Sequence, residues 1–293
     1  MSWWKRLKGR VRVQEPLSRH TTFCIGGPVS YFIEPKDIDD LKLLLKILKQ
    51  YRIPFRTIGA GSNILASDEG IPGAVIHLAG RFFSNLSFKG DLVKVGAAFT
   101  VGRLVSVAQK NSFSGVEFLA GIPASVGGAI VMNAGAWGKS IGDIVQGLVV
   151  VDYSGKLVSL SPDELSFGYR SSGLKDCIVL EARLRLKKGN RPRISQAIQR
   201  YINRRRMQQD LSFPSAGCVF KNPVGHPAAY LIERCGLKGF QVGGAAISVR
   251  HANFIINKNG ATSRDVLALV KLVKAEVKKR FNIELEPEIK IWN

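Results

Sequence analysis

The residues whose types and spacing can do chemistry fall first into two glycine-rich segments. Gly59-Ala60-Gly61-Ser62-Asn63 follows an apolar run, and glycines there let the backbone turn and present bare N–H groups to an anion. The segment has neither the spacing of a Rossmann dinucleotide site nor the lysine of a P-loop, so alone it reads equally well as a tight turn. The second segment, Gly121-Ile122-Pro123-Ala124-Ser125-Val126-Gly127-Gly128-Ala129, is followed by Asn133-Ala134-Gly135-Ala136. Two such loops in adjoining blocks can grip one diphosphate. Other reactive side chains are scattered. Cys24, Cys177, Cys218 and Cys235 form no CxxC pair, which fits neither a zinc site nor a disulfide framework and points to reduced thiols. His251 stands alone on a predicted strand and reads as hydrogen-bonded structure, and no metal cluster is expected.

The elements that must position these segments follow from periodicity. Asp37 is placed to N-cap a helix over Ile38 to Gln50, whose Leu41, Leu44, Leu45 and Leu48 recur at helical spacing. A strand, Ile53 to Ile58, runs into the first glycine segment, and a second, Ala74 to Leu78, follows it. From Phe83 a second α+β block begins, with a hairpin over Leu86 to Ala97, a helix over Val101 to Lys110, a hairpin over Leu148 to Leu160 around Ser154-Gly155, and a strand over Cys177 to Leu186. The basic stretch Lys187 to Arg193 reads as a linker. Beyond it are predicted a helix Ile194 to Gln209, a strand Cys218 to Lys221, a helix Pro227 to Cys235, a strand Ala246 to Asn257, a helix Arg264 to Phe281 and a closing strand. Thr262 and Asp265 stand three apart, a near match to a capping box for the last helix. The order of elements predicts α+β packing.

A chain of 293 residues suits two or three compact domains with a ligand cleft, and 45% hydrophobic and 22% charged residues are ordinary globular values. No apolar run approaches the roughly 20 residues of a membrane-spanning helix, and the N-terminus lacks the apolar stretch of a signal peptide, so a cytoplasmic location is expected. The net charge of +21 is compatible with nucleic acid, an anionic membrane or a polyanionic small molecule. A recognisable basic–aromatic motif for nucleic acid is lacking, so none is expected as a partner. Trp3 and Trp4 beside Lys5, Arg6, Lys8 and Arg10 suit a membrane headgroup layer, although terminal aromatics more often dock on their own domain.

Taken in order, the segments resemble the FAD-binding domain of the vanillyl-alcohol-oxidase (PCMH) type and, more closely, the UDP-N-acetylenolpyruvoylglucosamine reductases of bacterial cell-wall synthesis. The resemblance runs through Thr21-Thr22-Phe23 with Gly26-Gly27, both glycine segments, and Phe167-Gly168-Tyr169-Arg170-Ser171. It continues through Pro214 to Pro223, Gly236-Leu237-Lys238-Gly239, His251-Ala252-Asn253-Phe254 and Glu286-Pro287-Glu288-Ile289-Lys290. The chain lacks the substrate-covering insertion of the longer members and looks like the shorter class. The resemblance implies an α+β architecture of two FAD-binding subdomains, 1–82 and 83–190, and a substrate-binding C-terminal domain, 191–293. It also implies an activity: NADPH reduces FAD, which in turn reduces the enolpyruvyl double bond of UDP-N-acetylglucosamine enolpyruvate to give UDP-N-acetylmuramate. A monomer is expected. The alternative is another FAD oxidoreductase of the same fold, acting on an alcohol or hydroxy acid, against which the C-terminal motifs argue.

Site residues carry over by position. Gly59, Ala60, Gly61, Ser62, Asn63, Pro123, Ser125, Val126, Gly127, Gly128, Asn133, Ala134 and Gly135 are the expected FAD contacts. Arg170 matches the arginine that holds the substrate carboxylate and steadies enolate-like charge. Glu288 matches the catalytic glutamate; period two would put Glu284 and Glu286 on the same face, and only the family pattern selects Glu288. Cys218 stands where the family usually has the proton-donating serine. A thiol can take that role, because it is a stronger acid than an alcohol. Tyr169, Lys221, Asn222 and Arg205 are expected to contact the substrate.

Overall fold

Helix Ile38–Gln50 begins where the Asp37 side chain accepts a hydrogen bond from the Asp40 N–H at 2.9 Å, and the predicted leucine stripe is its buried face. This is a computed structural model, and it describes residues Trp3–Asn293. The chain forms two compact units, each assembled from three separate pieces. Unit 1 comprises Met1–Val13, Tyr31–Ala60 and Gly73–Asn203, and unit 2 comprises Gln14–Ser30, Gly61–Pro72 and Arg204–Asn293. Residues 14–30 and 61–72 group with the C-terminal part, and 191–203, expected in the C-terminal domain, group with unit 1.

Unit 1 nevertheless holds two hydrophobic cores, and a single sheet explains how. Its five strands run Leu157–Leu160, Val145–Asp152, Cys177–Arg185, Leu92–Gly96 and Leu86–Lys89, every neighbouring pair antiparallel. Side chains alternate across a strand, so Val150 and Val179 enter one core while Val151, Ile178 and Leu180 enter the other. The first core also takes helix Val101–Lys110 and the short helix Val126–Val131; the second takes helix Ile38–Gln50. Strand Phe55–Ile58 pairs in parallel with Ile71–His77, Ile58 opposite His77, and leads directly to Gly59. The buried Asp40 carboxylate accepts the N–H groups of Lys8, Gly9 and Lys36 at 2.8, 2.8 and 3.0 Å, which ties the N-terminal segment down. Trp3 and Trp4 are half-buried and pack on Tyr31 with centroids 4.9 and 5.1 Å away.

Unit 2 is built on a four-stranded sheet ordered Ser215–Cys218, Phe254–Asn257, Ala245–Ile247 and Gln241–Val242. Helix Ser263–Phe281 buries Val266, Leu269, Val270, Val273 and Val277 in its core, and Thr262 with Asp265 completes both halves of the expected capping box. Strand Lys290–Trp292 pairs in parallel with Ile64–Ala66. The predicted single strand Ala246 to Asn257 is two, because the Ser248 hydroxyl accepts the N–H groups of Arg250 and His251 and reverses the chain. His251 therefore lies in the connecting turn. The expected linker is also structured: Lys187–Lys188 pairs with Phe113–Ser114, and the next helix, Arg191–Gln208, starts at Arg191. Among the described residues no helix is long and apolar enough to cross a membrane.

Candidate active site

The two glycine segments do different physical work. Among the described residues, the backbone N–H groups of Ala60, Gly61, Ser62 and Asn63 donate to no protein oxygen, which leaves them available to an anion. Gly61 has φ of +65°, and a Cβ there would stand 1.9 Å from the His20 carbonyl oxygen, so only glycine fits. The amides at the start of helix Val126–Val131 are, by contrast, already used. Val126 donates to the Phe99 carbonyl at 2.8 Å, Gly127 to that of Ala97 at 2.9 Å, and Gly128 to the Ser125 hydroxyl at 3.2 Å. Gly127 is needed for packing, since a Cβ would lie 2.9 Å from the Cβ of Ala97. Gly59, in unit 1, lies against the second segment: a Cβ on it would come within 2.4 Å of the Ser125 hydroxyl. Pro123 and Ala124 lead into the helix, and the Ala124 carbonyl accepts the Val101 N–H at 2.9 Å.

Arg170 sits at the tip of a tight turn in unit 1 in which Gly168 and Ser171 exchange backbone hydrogen bonds of 2.9 and 3.2 Å. Its φ of +56° is left-handed, a conformation that costs a non-glycine residue about 1 kcal/mol or more. The surroundings hold it there. Its Nη1 donates to the Gly135 carbonyl at 3.2 Å, and its guanidinium lies 5.3 Å from the centroid of the Tyr169 ring, itself 55% exposed. Gly135 belongs to the hairpin Gly135–Ala136/Lys139–Ser140, and Trp137 at its tip stacks on Tyr201 at 4.9 Å. Ala134 closes the preceding helix by donating its N–H to the Ala129 carbonyl at 2.7 Å.

Cys218 and Glu288 lie in unit 2 on neighbouring segments. Strand Ser215–Cys218 carries a register shift beside Gly217, whose φ is +75°, and leaves the Cys218 thiol half-buried and outside any disulfide. The next residues are clamped by Asn253, which is 2% exposed: it accepts the Phe220 N–H at 2.9 Å and donates to the Phe220 carbonyl at 2.8 Å. The Glu288 N–H donates to the Val219 carbonyl at 2.7 Å, and the Lys221 N–H to that of Glu286 at 2.9 Å. Asn63 completes the arrangement, its Nδ2 donating to the Glu288 carbonyl at 3.1 Å and its own carbonyl accepting the Lys290 N–H at 2.8 Å. The three glutamates now separate. Glu284 pairs with Lys278 at 3.2 Å and Glu286 with Lys221 at 3.0 Å, both largely exposed, while Glu288 is half-buried. Exposed pairs of this kind contribute little to stability.

The remaining expected contacts are in unit 2 as well. Asn222 accepts the Ala228 N–H at 2.9 Å and so caps helix Ala228–Arg234 from outside it. Arg205, between exposed Arg204 and Arg206, is 8% exposed. Sequence reasoning named Asn253 only within a motif and did not find its clamp; its buried side chain 33 residues from Phe220 is a tertiary feature.

Undonated amides in a glycine turn suit an anionic group, and comparison with known proteins shows that this α+β protein is of the flavin-binding class. The model of an FAD binding domain matches residues 29–161, and that of the UDP-N-acetylenolpyruvoylglucosamine reductase C-terminal domain matches residues 208–292. UDP-N-acetylenolpyruvoylglucosamine reductase 2 of Symbiobacterium thermophilum is 42% identical over 286 residues, 97% of this chain and 92% of the relative. The reductase of Anoxybacillus flavithermus is likewise 42% identical, over 97% of this chain and 94% of its own. The crystal structure of UDP-N-acetylenolpyruvylglucosamine reductase from Thermus caldophilus superposes with a TM-score of 0.85 at 38% identity, covering 97% of this chain and all of that one. The chain belongs to the UDP-N-acetylenolpyruvoylglucosamine reductase family.

Proposed function

We propose that this protein reduces the enolpyruvyl double bond of UDP-N-acetylglucosamine enolpyruvate to the lactyl ether of UDP-N-acetylmuramate, with NADPH as the electron source and FAD as carrier. The observation that carries this reading is likeness to named reductases over 97% of the chain. FAD fits the residues present, because the amides of Ala60 to Asn63 are undonated and suit an anionic diphosphate. Ser125 and Gly135 would contribute from the second segment, together with Pro123, Val126, Gly127, Gly128, Ala134 and only the backbone of Asn133, whose side-chain amide is hydrogen-bonded to Gly168 and Gly142; the amides of Val126, Gly127 and Gly128 are spent, leaving the apolar faces of these residues. When bound, FAD accepts electrons from the nicotinamide and delivers them to the substrate one molecule at a time. In this layout the two cores of unit 1 correspond to the flavin-binding subdomains and the C-terminal residues to the substrate domain.

The protein's own groups handle charge and proton. Electrons entering the terminal vinyl carbon push negative charge toward the substrate carboxylate, and the Arg170 guanidinium binds that carboxylate and stabilises the charge. Cys218 gives its thiol proton to the carbon next to the carboxylate, and Glu288, on the neighbouring segment of unit 2, orients that donor. Lys221, Asn222, Tyr169 and Arg205 bind the nucleotide sugar. The enzyme acts as a cytoplasmic monomer. The test is spectroscopic: the purified, yellow protein is bleached anaerobically with NADPH and then given the enolpyruvyl sugar nucleotide. Return of the flavin colour with one equivalent is expected. A protein that takes up no flavin, or whose reduced flavin ignores this substrate, would overturn the proposal.

A further inference from the structure

Asn133 was expected among the flavin contacts, yet its side chain is committed elsewhere. It is 8% exposed, its Nδ2 donates to the Gly168 carbonyl at 2.9 Å, and its Oδ1 accepts the Gly142 N–H at 3.0 Å. A carbonyl can only accept and an N–H only donate, so the chemistry of the two partners fixes the orientation of the amide. Gly142 is needed for this approach, since a Cβ there would lie 2.9 Å from the Asn133 oxygen and 2.7 Å from the Phe167 ring. Gly168 is the root of the turn that carries Arg170 in its left-handed conformation. Two residues beyond Asn133, the Gly135 carbonyl receives the Arg170 guanidinium. Residues 133–135 thus hold Arg170 at both ends, the backbone root through the Asn133 side chain and the tip through the Gly135 carbonyl. The hairpin bearing Gly135 is itself fixed by the stack of Trp137 on Tyr201.

We infer that Asn133 is a positioning residue for substrate recognition, acting through Arg170 by locking the turn that aims its guanidinium at the substrate carboxylate. The inference rests on the role proposed for Arg170. It extends that role by assigning the aim of the guanidinium to a second side chain 37 positions earlier in the sequence. Because the turn is strained at Arg170, removing its anchor lets the turn relax, and the loss should appear in binding of the carboxylate more than in folding.

Asn133→Asp keeps the size of the side chain and an oxygen for Gly142, but sets an acceptor against the Gly168 carbonyl. We expect this variant to retain its flavin and to bind UDP-N-acetylmuramate, which carries the same carboxylate, about tenfold more weakly in equilibrium titration. In an Arg170→Ala background the same substitution should change that Kd by less than about twofold, because the residue it acts through is gone. Independent losses that multiply in the double variant, or an unchanged Kd in the single one, overturn the inference. Loss of flavin also overturns it and returns Asn133 to the cofactor. Should Asn133→Asp not fold, Asn133→Gly suits the φ of +42° at this position, deletes both hydrogen bonds, and supports the same cycle. Failure of the proposed function shows separately, as wild-type reduced flavin that the enolpyruvyl substrate does not reoxidise.

Discussion

Cys218 carries the sharpest question at the scale of single residues, because the family's usual alcohol is here a thiol. Its place at a bulged strand end, followed by the Asn253 clamp, fixes the backbone from which the sulfur projects. Cys218→Ser should keep measurable turnover, while Cys218→Ala should be reduced by NADPH at the wild-type rate and stall when the enolpyruvyl substrate is added. Stopped-flow absorbance separates the two half-reactions, and full turnover of the alanine variant would remove the thiol from the mechanism. His251 makes a second residue-level case. Burial pushes its imidazole below the ordinary value, and its Nδ1 is buried with no partner. A depressed folded pKa means that the unfolded chain binds more protons below about pH 6.5, so stability present above that pH falls as the medium is acidified toward the folded value. The Tm of the wild type should drop between about pH 7 and pH 5.5 more steeply than that of His251→Phe, and parallel profiles would refute the assignment.

Among the elements, helix Ser263–Phe281 shows what the sequence could and could not reveal. Its start was legible because a capping box is local: Thr262 and Asp265 satisfy each other's backbone donors within one turn. Thr262→Ala should cost about 1 kcal/mol and lower the Tm by about 2–4 °C, measurable by calorimetry. Helix Ile38–Gln50 was legible for the same reason, with Asp37 as its cap, and helix Val101–Lys110 from its apolar spacing, its cap Thr100 appearing only in the structure. The reversal at Ser248 was not, since its apolar flanks, Ala246-Ile247 and Phe254-Ile255-Ile256, read as one continuous strand. What breaks the run is a hydroxyl accepting two backbone donors and itself donating to the buried Asp210 carboxylate at 2.9 Å. The site divides in the same way. Gly61 and Arg170 could be named from motifs, whereas the Asn133 clamp, whose partner Gly168 is 35 residues away, has no local signature.

For the whole molecule the dominant physical quantity is charge. A net +21 raises the local concentration of anionic ligands, and both the nicotinamide donor and the nucleotide sugar are polyanions. Raising salt from about 0.02 to 0.2 M shortens the screening length about threefold and should lower kcat/KM several-fold, mostly through KM. A rate constant independent of ionic strength would mean that the basic surface serves something other than ligand capture.

The parallel pairing of Ile64–Ala66 with Lys290–Trp292 also bears on how the molecule is made. Leu65 and Ala66 are fully buried in the finished protein, yet their strand partner, Lys290–Trp292, is synthesised long after them. Until the ribosome releases Lys290–Trp292, the early strand stays an open edge exposed to chaperones and to other nascent chains. Vectorial synthesis therefore delays completion of this pair until Lys290–Trp292 emerges, and a nonsense codon just ahead of Lys290 should yield aggregates rather than a folded enzyme.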